Sequence, residues 1–246
     1  MTAAAPGAMG RVRAGGRIVA LATWLLVLLP VHGAWRLVGR RSPWPRRFLH
    51  GCARIVGARP VVIGVPLRRD AVILANHLSW IDILLLAGCA DAVFVAKGEL
   101  RAAPLVGWLA SLNDTIFVAR GDRMAVGGQV DALRAAIGPR PVAIFPEGTT
   151  GDGLALLPFK SALLAALDPA PPGVRAQPVA IDYGTATREL AWTDGESGVA
   201  HALRVLGRRG GFVANLRFLP PITVEGRKAI ANEARRQIEA AWTPDR

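Results

Sequence analysis

Lysine is nearly missing from this chain: of 30 basic residues only Lys97, Lys160 and Lys228 are lysines. Arginine therefore carries the positive charge, and against 18 acidic residues it leaves a net charge of +12, which calls for an anionic partner. Tyrosine is rarer still, at one residue. The basic residues are scattered, and there is neither a zinc-ligand spacing nor an aromatic RNA-binding signature, so nucleic acid is excluded in favour of anionic lipid. The two cysteines, Cys52 and Cys89, sit in unrelated contexts. That excludes a disulfide framework and a cysteine-built metal site, and points to a reducing compartment. No Gly-x-Ser-x-Gly elbow is present either, which removes the usual serine-hydrolase reading.

Apolar residues are abundant, at 52% of 246, enough for one sizeable core plus a terminal appendage. The appendage is N-terminal. Residues 18–31 read IVALATWLLVLLPV, continuing less purely to Val38, with Arg11, Arg13 and Arg17 before them and Arg36, Arg40, Arg41, Arg46 and Arg47 after. The uncharged part is shorter than the roughly 20 residues of a full span. A signal peptide would need a small-residue cleavage site before Arg36, and none is clear. A tilted span with the main domain in the cytoplasm and an interfacial helix both fit, and an ordinary buried helix is the bland alternative. The resulting division is a membrane anchor over residues 1–47 and a main domain over 48–246.

Beyond the anchor, short β-rich runs alternate with helical stretches. Strands are expected at 61–65, 72–75, 93–96, 115–118, 142–145, 179–181 and 212–218, and helices at 81–87, 100–112, 124–137, 161–167, 198–206 and 225–242. The alternation implies an α/β sandwich, a central mixed sheet flanked by helices.

Two polar clusters follow two apolar strands, where open α/β sheets place their ligands. The first is Asn76-His77-Leu78-Ser79-Trp80-Ile81-Asp82 after AVILA. On an unbroken helix a spacing of five would turn His77 and Asp82 about 140° apart, so they meet only if a turn separates them. Ser79 as an N-cap would supply that turn, starting a helix at Trp80 with Asp82 in its first turn. Ser79 with Asp82 is also an acceptable capping box, and His77 an acceptable loop histidine, so the pair alone is a weak motif. Read functionally, the aspartate fixes the tautomer of the histidine, which serves as a general base without any serine or cysteine nucleophile. The second cluster is Phe145-Pro146-Glu147-Gly148-Thr149-Thr150 after VAIF. Taken alone it is a turn. Backbone amides near Gly148 or Asn76 are candidates for holding an oxyanion.

Four blocks together resemble the glycerolipid acyltransferases, which include 1-acylglycerol-3-phosphate acyltransferases: Asn76-His77 with Asp82; Ile116-Phe117-Val118-Ala119-Arg120; Phe145 to Thr149; and Pro178-Val179-Ala180-Ile181. The resemblance implies that His77 and Asp82 are the catalytic pair and that Arg120, Glu147, Gly148 and Thr149 bind the acceptor. Lys97 and Lys160 suit a phosphate on the same substrate, and each is equally acceptable as a solvated lysine. The family uses no metal and no bound cofactor: acyl-CoA or acyl carrier protein brings the acyl thioester as co-substrate, and a lysolipid accepts it. The implied place is the inner membrane of a bacterium, with the catalytic domain facing the cytoplasm. The chain departs from the pattern at Thr150, where members that use glycerol phosphates carry an arginine. Its Glu147-Gly-Thr-Thr-Gly-Asp152 run resembles a bacterial subgroup that includes ornithine-lipid acyltransferases, whose acceptor is a hydroxyl on an acyl chain. Three possible cations against one missing arginine place lysophosphatidic acid narrowly ahead of a lyso amino-acid lipid as the expected acceptor.

Overall fold

AVILA, the run before the first cluster, is buried at every position, as expected of a strand covered on both faces. Its side chains alternate. Val72 and Leu74 join a core with Val142, Ile144, Leu133, Leu164 and Ile230, while Ile73 and Ala75 join another with Ile81, Leu85 and Leu86. Two helical layers must therefore sandwich the sheet, each buried aliphatic side chain contributing about 1.5–3 kcal/mol.

The computed structural model describes residues 7–39, 41–118, 123–193 and 195–242. Among these described residues the strands are β1 (Ala58–Ile63), β2 (Ala71–Ala75), β3 (Val93–Lys97), β4 (Ile116–Val118), β5 (Val142–Ile144), β6 (Arg175–Asp182) and β7 (Phe212–Phe218). They form one sheet in the order β1-β7-β6-β2-β5-β3-β4. From β6 to β4 all neighbours are parallel; β7 runs antiparallel to β6, and β1 parallel to β7. The sheet is thus mixed. The helices are α1 (Ala8–Leu37), α2 (Trp44–Ile55), α3 (Ile81–Ala90), α4 (Pro104–Leu112), α5 (Arg123–Ala136), α6 (Thr187–Leu190), α7 (Gly198–Gly207) and α8 (Arg227–Ala241). α3 packs on one face of the sheet, α5 and α8 on the other.

Several elements differ from the sequence reading, among them α2 and α6, which it does not contain. The expected helix over 100–112 is split into a 3₁₀ turn, Gly98–Ala102, and α4. Pro104 is the reason, since it restricts Ala103 to extended backbone (ψ 109°). The helix expected over 161–167 is a 3₁₀ turn at Leu163–Leu167. β6 begins at Arg175, ahead of the expected 179, and runs through Pro178, which has no N–H for the ladder; the Pro178 carbonyl still accepts from the Leu219 N–H at 3.0 Å.

α1 is long and apolar enough to cross a bilayer by length and composition. It lies against the domain along most of that length. Arg13 Nε donates to the Gly207 carbonyl at 2.9 Å, Arg17 donates to the carbonyls of Val205, Leu206, Arg208 and Gly210, and the Trp24 indole donates to Phe48 at 3.1 Å. Gly51 makes the α1 and α2 approach possible: a Cβ there would lie 2.2 Å from the Trp24 indole nitrogen. Toward its other end, His32 Nδ1 pairs with Ser42 Oγ at 2.8 Å. Residues 205–210 lead into β7 at the end of the sheet where β6 finishes, whereas the C-terminal end of α1 meets the loops that enter β3 to β5. The helix therefore runs from one end of the strands to the other, about 28 Å between Arg13 and His32 at 1.5 Å per residue. Its outward side exposes Ile18, Val19, Leu26 and Val27, and α4 exposes Leu105, Val106 and Trp108.

Candidate active site

The loops after β2 and β5 meet because those strands are adjacent and parallel, so their C-terminal ends fall at the same edge. His77 follows β2, and its Nδ1 lies 2.9 Å from Asp82 Oδ2. The turn between them is the one the spacing demands, although Ser79 makes it differently than expected. α3 starts at Ile81 with no side-chain cap. Asp82 reaches back to accept from the Leu78 N–H at 2.7 Å and the Ser79 N–H at 2.9 Å, the carboxylate half of a capping box. The hydroxyl half is diverted: Ser79 Oγ pairs with His201 Nε2 at 2.9 Å.

Asp82 is fully buried, and its other oxygen, Oδ1, accepts from the phenol of Tyr183. Burial, helped by the Asp82 charge, pushes the Tyr183 hydroxyl well above its ordinary pKa, so it remains a donor. With three donors on Oδ2 and one on Oδ1 the carboxylate is saturated. As an acceptor it fixes the proton of His77 on Nδ1 and leaves the Nε2 lone pair outward. The imidazole is held in plane by Phe145, stacked at 3.9 Å between ring centroids and 14° between planes.

The second cluster braces the first. The His77 N–H donates to Glu147 Oε1 at 2.8 Å, the Leu157 N–H to Glu147 Oε2 at 3.0 Å, and the Gly151 N–H to the His77 carbonyl at 2.8 Å. Glu147 is 3% exposed, so both its oxygens serve backbone amides. Gly148 adopts the left-handed region (φ 73°) that glycine favours, and Lys160 Nζ sits 3.0 Å from where its Cβ would be. The Lys160 N–H donates to the Pro146 carbonyl at 2.8 Å. The Gly148 N–H is committed to the Phe145 carbonyl at 3.0 Å, and the Asn76 side chain to both backbone groups of Ile181. Thr149 is exposed at the tip of the loop, while the Thr150 hydroxyl donates to the Trp192 carbonyl at 2.6 Å. Lys97 closes β3 at the same edge of the sheet. Arg120 lies outside the described residues.

The site thus unites His77, Asp82, Glu147, Gly148 and Lys160. Sequence reasoning missed Tyr183 and the group behind Ser79, and it named Phe145 without giving its ring a role. Tyr183 had a signal: it is the single tyrosine and directly follows β6. The group behind Ser79 had none. There His201 Nδ1 lies 3.1 Å from Glu196 Oε2, Arg204 binds both oxygens of Glu196, and the Trp192 ring stacks on His201. Burial first, and Arg204 second, lower the His201 pKa, and the ring braces the turn between β2 and α3 through Ser79. Neither cysteine competes as a nucleophile, since both are buried and burial pushes the Cys52 thiol up to about 12.

The family model described as acyltransferase matches residues 60–182, half of the chain. The chain belongs to the acyltransferase family. Acyltransferases similar to it include the lyso-ornithine lipid O-acyltransferase of Rhodobacter capsulatus, 33% identical over 89% of this chain and 85% of that one. The protein of the same name from Rhizobium meliloti is 34% identical over 85% of this chain and 76% of its own length. The 1-acyl-sn-glycerol-3-phosphate acyltransferase of Neisseria gonorrhoeae is 32% identical, but over only 45% of this chain and 43% of that one. The fold matches the crystal structure of the 1-acyl-sn-glycerophosphate (LPA) acyltransferase of Thermotoga maritima with a TM-score of 0.61 at 23% identity, covering 93% of this chain and 97% of that one.

Burial raises the pKa of Glu147. The folded acyltransferase therefore holds this proton more tightly than the unfolded chain does. Its contribution to stability is present below the ordinary carboxylate pKa and is lost as pH rises through the raised one. Thermal melts of wild type and Glu147→Gln between pH 4 and 7 should show wild type losing ground to the variant as pH rises. A constant gap would mean that Glu147 does not titrate in that window.

Proposed function

We propose that this acyltransferase moves a fatty acyl group from a thioester, acyl-CoA or acyl carrier protein, to the free hydroxyl of a lyso-ornithine-type lipid at the membrane surface. His77 Nε2 takes the proton from the acceptor hydroxyl as that oxygen attacks the thioester carbonyl. Asp82 holds Nδ1 and stabilises the imidazolium. The tetrahedral intermediate then collapses, the carbon–sulfur bond breaks, and the imidazolium returns its proton to the departing thiolate. The observation that carries the mechanism is the saturated carboxylate of Asp82 behind an imidazole whose Nε2 is left outward.

For the acceptor, the order expected from the sequence is reversed. The supporting facts are the extent over which relatives named lyso-ornithine lipid O-acyltransferases match and the bonding of Thr150. Where phosphate-using members carry a guanidinium, this chain has a hydroxyl turned away to a carbonyl. Membrane association is supported by the apolar outward side of α1. Because α1 is bonded to the domain through Arg13, Arg17 and Trp24, it would lie in the interface and not cross it.

Purified protein offered lyso-ornithine lipid and lysophosphatidic acid at equal concentration, with one thioester donor, tests the reading. The expected result is a doubly acylated ornithine lipid as the dominant product. Thr150→Arg, which adds a fork and removes the bond to Trp192, should shift the ratio of kcat/KM values toward lysophosphatidic acid by about tenfold. Dominant acylation of lysophosphatidic acid by the wild type would overturn the assignment.

A further inference from the structure

A second polar site lies at the far end of the sheet from His77. Asp91 precedes β3, Asp114 precedes β4 and Arg140 precedes β5, so all three sit at the N-terminal ends of parallel strands whose C-terminal ends carry the active site. With the C-terminal end of α1 they surround a polar cavity of about 340 Å³, open on one side. Arg36, Arg41, Arg46 and Arg140 line it against two carboxylates. Arg41 and Arg140 consume those carboxylates: Arg41 pairs with Asp91, and Arg140 lies 3.2 Å from Asp91 and 3.1 Å from Asp114. Arg36 and Arg46 have no carboxylate partner among the described residues, although Arg46 Nε donates to the Gly88 carbonyl at 3.1 Å. The cavity therefore holds two positive charges in excess. A buried imidazole adds an independent sign: His32, 8% exposed, lines the cavity, and its Nε2 has no hydrogen-bond partner.

The polar cavity is continuous with an apolar groove. His32, Pro45 and Leu112 line both, and the groove proceeds between α1, α2 and α4 along Leu28, Leu29 and Phe48. A buried indole nitrogen, Trp44 Nε1, also lacks a partner beside it. The enclosed part of the groove holds only about 30 Å³, so a hydrocarbon chain would lie along it instead of inside the protein. A bare anion would use the cavity and ignore the groove. A molecule with a phosphate at one end and acyl chains beyond it would use both.

We propose that this composite is a binding site for the phosphate-bearing headgroup of an anionic membrane phospholipid that is not a substrate. Arg36 and Arg46 meet the phosphate, His32 Nε2 bonds a headgroup oxygen, and the acyl chain follows the groove toward the exposed apolar side of α1 and α4. The site would fix the protein's rotation about α1 on the bilayer, complementing the apolar contact with a directional one. It stands independently of which acceptor the active site uses.

The experiment is a thermal-shift titration of the full chain in non-ionic detergent, with dihexanoyl phosphatidylglycerol and, separately, inorganic phosphate. Wild type should gain stability with the lipid and show no comparable gain with phosphate at the same concentration. The double variant Arg36→Gln/Arg46→Gln, changed at two exposed positions, should melt like wild type without lipid and bind it about tenfold more weakly, each lost charge-assisted bond contributing to that factor. His32→Phe, which keeps a ring and removes the nitrogen, should weaken the lipid response in the same direction. The proposal is overturned if the lipid gives no shift, if both variants respond like wild type, or if inorganic phosphate matches the lipid. The first result leaves no site, the second places the lipid elsewhere, including the active site, and the third makes the cavity a simple anion site.

Discussion

Replacing His77 with alanine should lower acyl transfer by roughly two to four orders of magnitude, the usual contribution of a positioned general base. The loss should fall on kcat, because the imidazole acts on the reacting proton and not on the headgroup. The protein should still fold, with a modest loss of stability. What His77 gives the structure is mostly backbone, its N–H to Glu147 and its carbonyl to Gly151, and alanine keeps both. The ring contributes a stack on Phe145 and one of the four hydrogen bonds to the buried Asp82, so alanine should cost about 1–3 kcal/mol. Melting temperature and single-turnover rate on the same preparation therefore separate the roles. A variant that transfers within tenfold of wild type would remove His77 from the chemistry.

The strands that carry this site were legible because each is a short apolar run between turn residues, and β2 with β5 brings two polar loops to one edge of the sheet. The pair His77 and Asp82 was legible for a related reason, since a spacing of five forces a turn between strand and helix. What escaped depends on distance along the chain. Ser79 reads locally as a cap, but its hydroxyl is taken by His201, 122 positions later, and nothing near Ser79 records that. Tyr183 reaches Asp82 across 101 positions through the pairing of β6 with β2. α2 was hidden by its own composition: Trp-Pro-Arg-Arg-Phe-Leu-His reads as basic flank to an apolar segment, and only packing reveals Cys52 and Ala53 as its buried side.

That longer-range bonding alters what Asp82→Asn should do. Read from the sequence, asparagine would still cap the helix, so activity would fall with little change in stability. In the folded protein Asp82 accepts from His77, Leu78, Ser79 and Tyr183, and all four are donors. Asparagine offers one oxygen and one NH₂ group, so whichever way it turns, a donor faces a donor in a site without water access. Losing charge-assisted bonds here should cost about 3 kcal/mol, which for a chain of this length lowers Tm by roughly 6–12 °C. Turnover per folded molecule should fall strongly, though no further than in His77→Ala because Asp82 acts through that histidine: its tautomer is no longer fixed and the imidazolium is no longer stabilised. Tyr183→Phe separates the two effects. It removes one donor from the oxygen that His77 does not touch, leaves the His77 contact in place, and should cost about 1–3 kcal/mol of stability with a much smaller loss of rate. Paired measurements of Tm and kcat on both variants check this. If Tyr183→Phe loses as much rate as Asp82→Asn while melting like wild type, the phenol takes part in the chemistry and the division of labour drawn from the geometry is wrong.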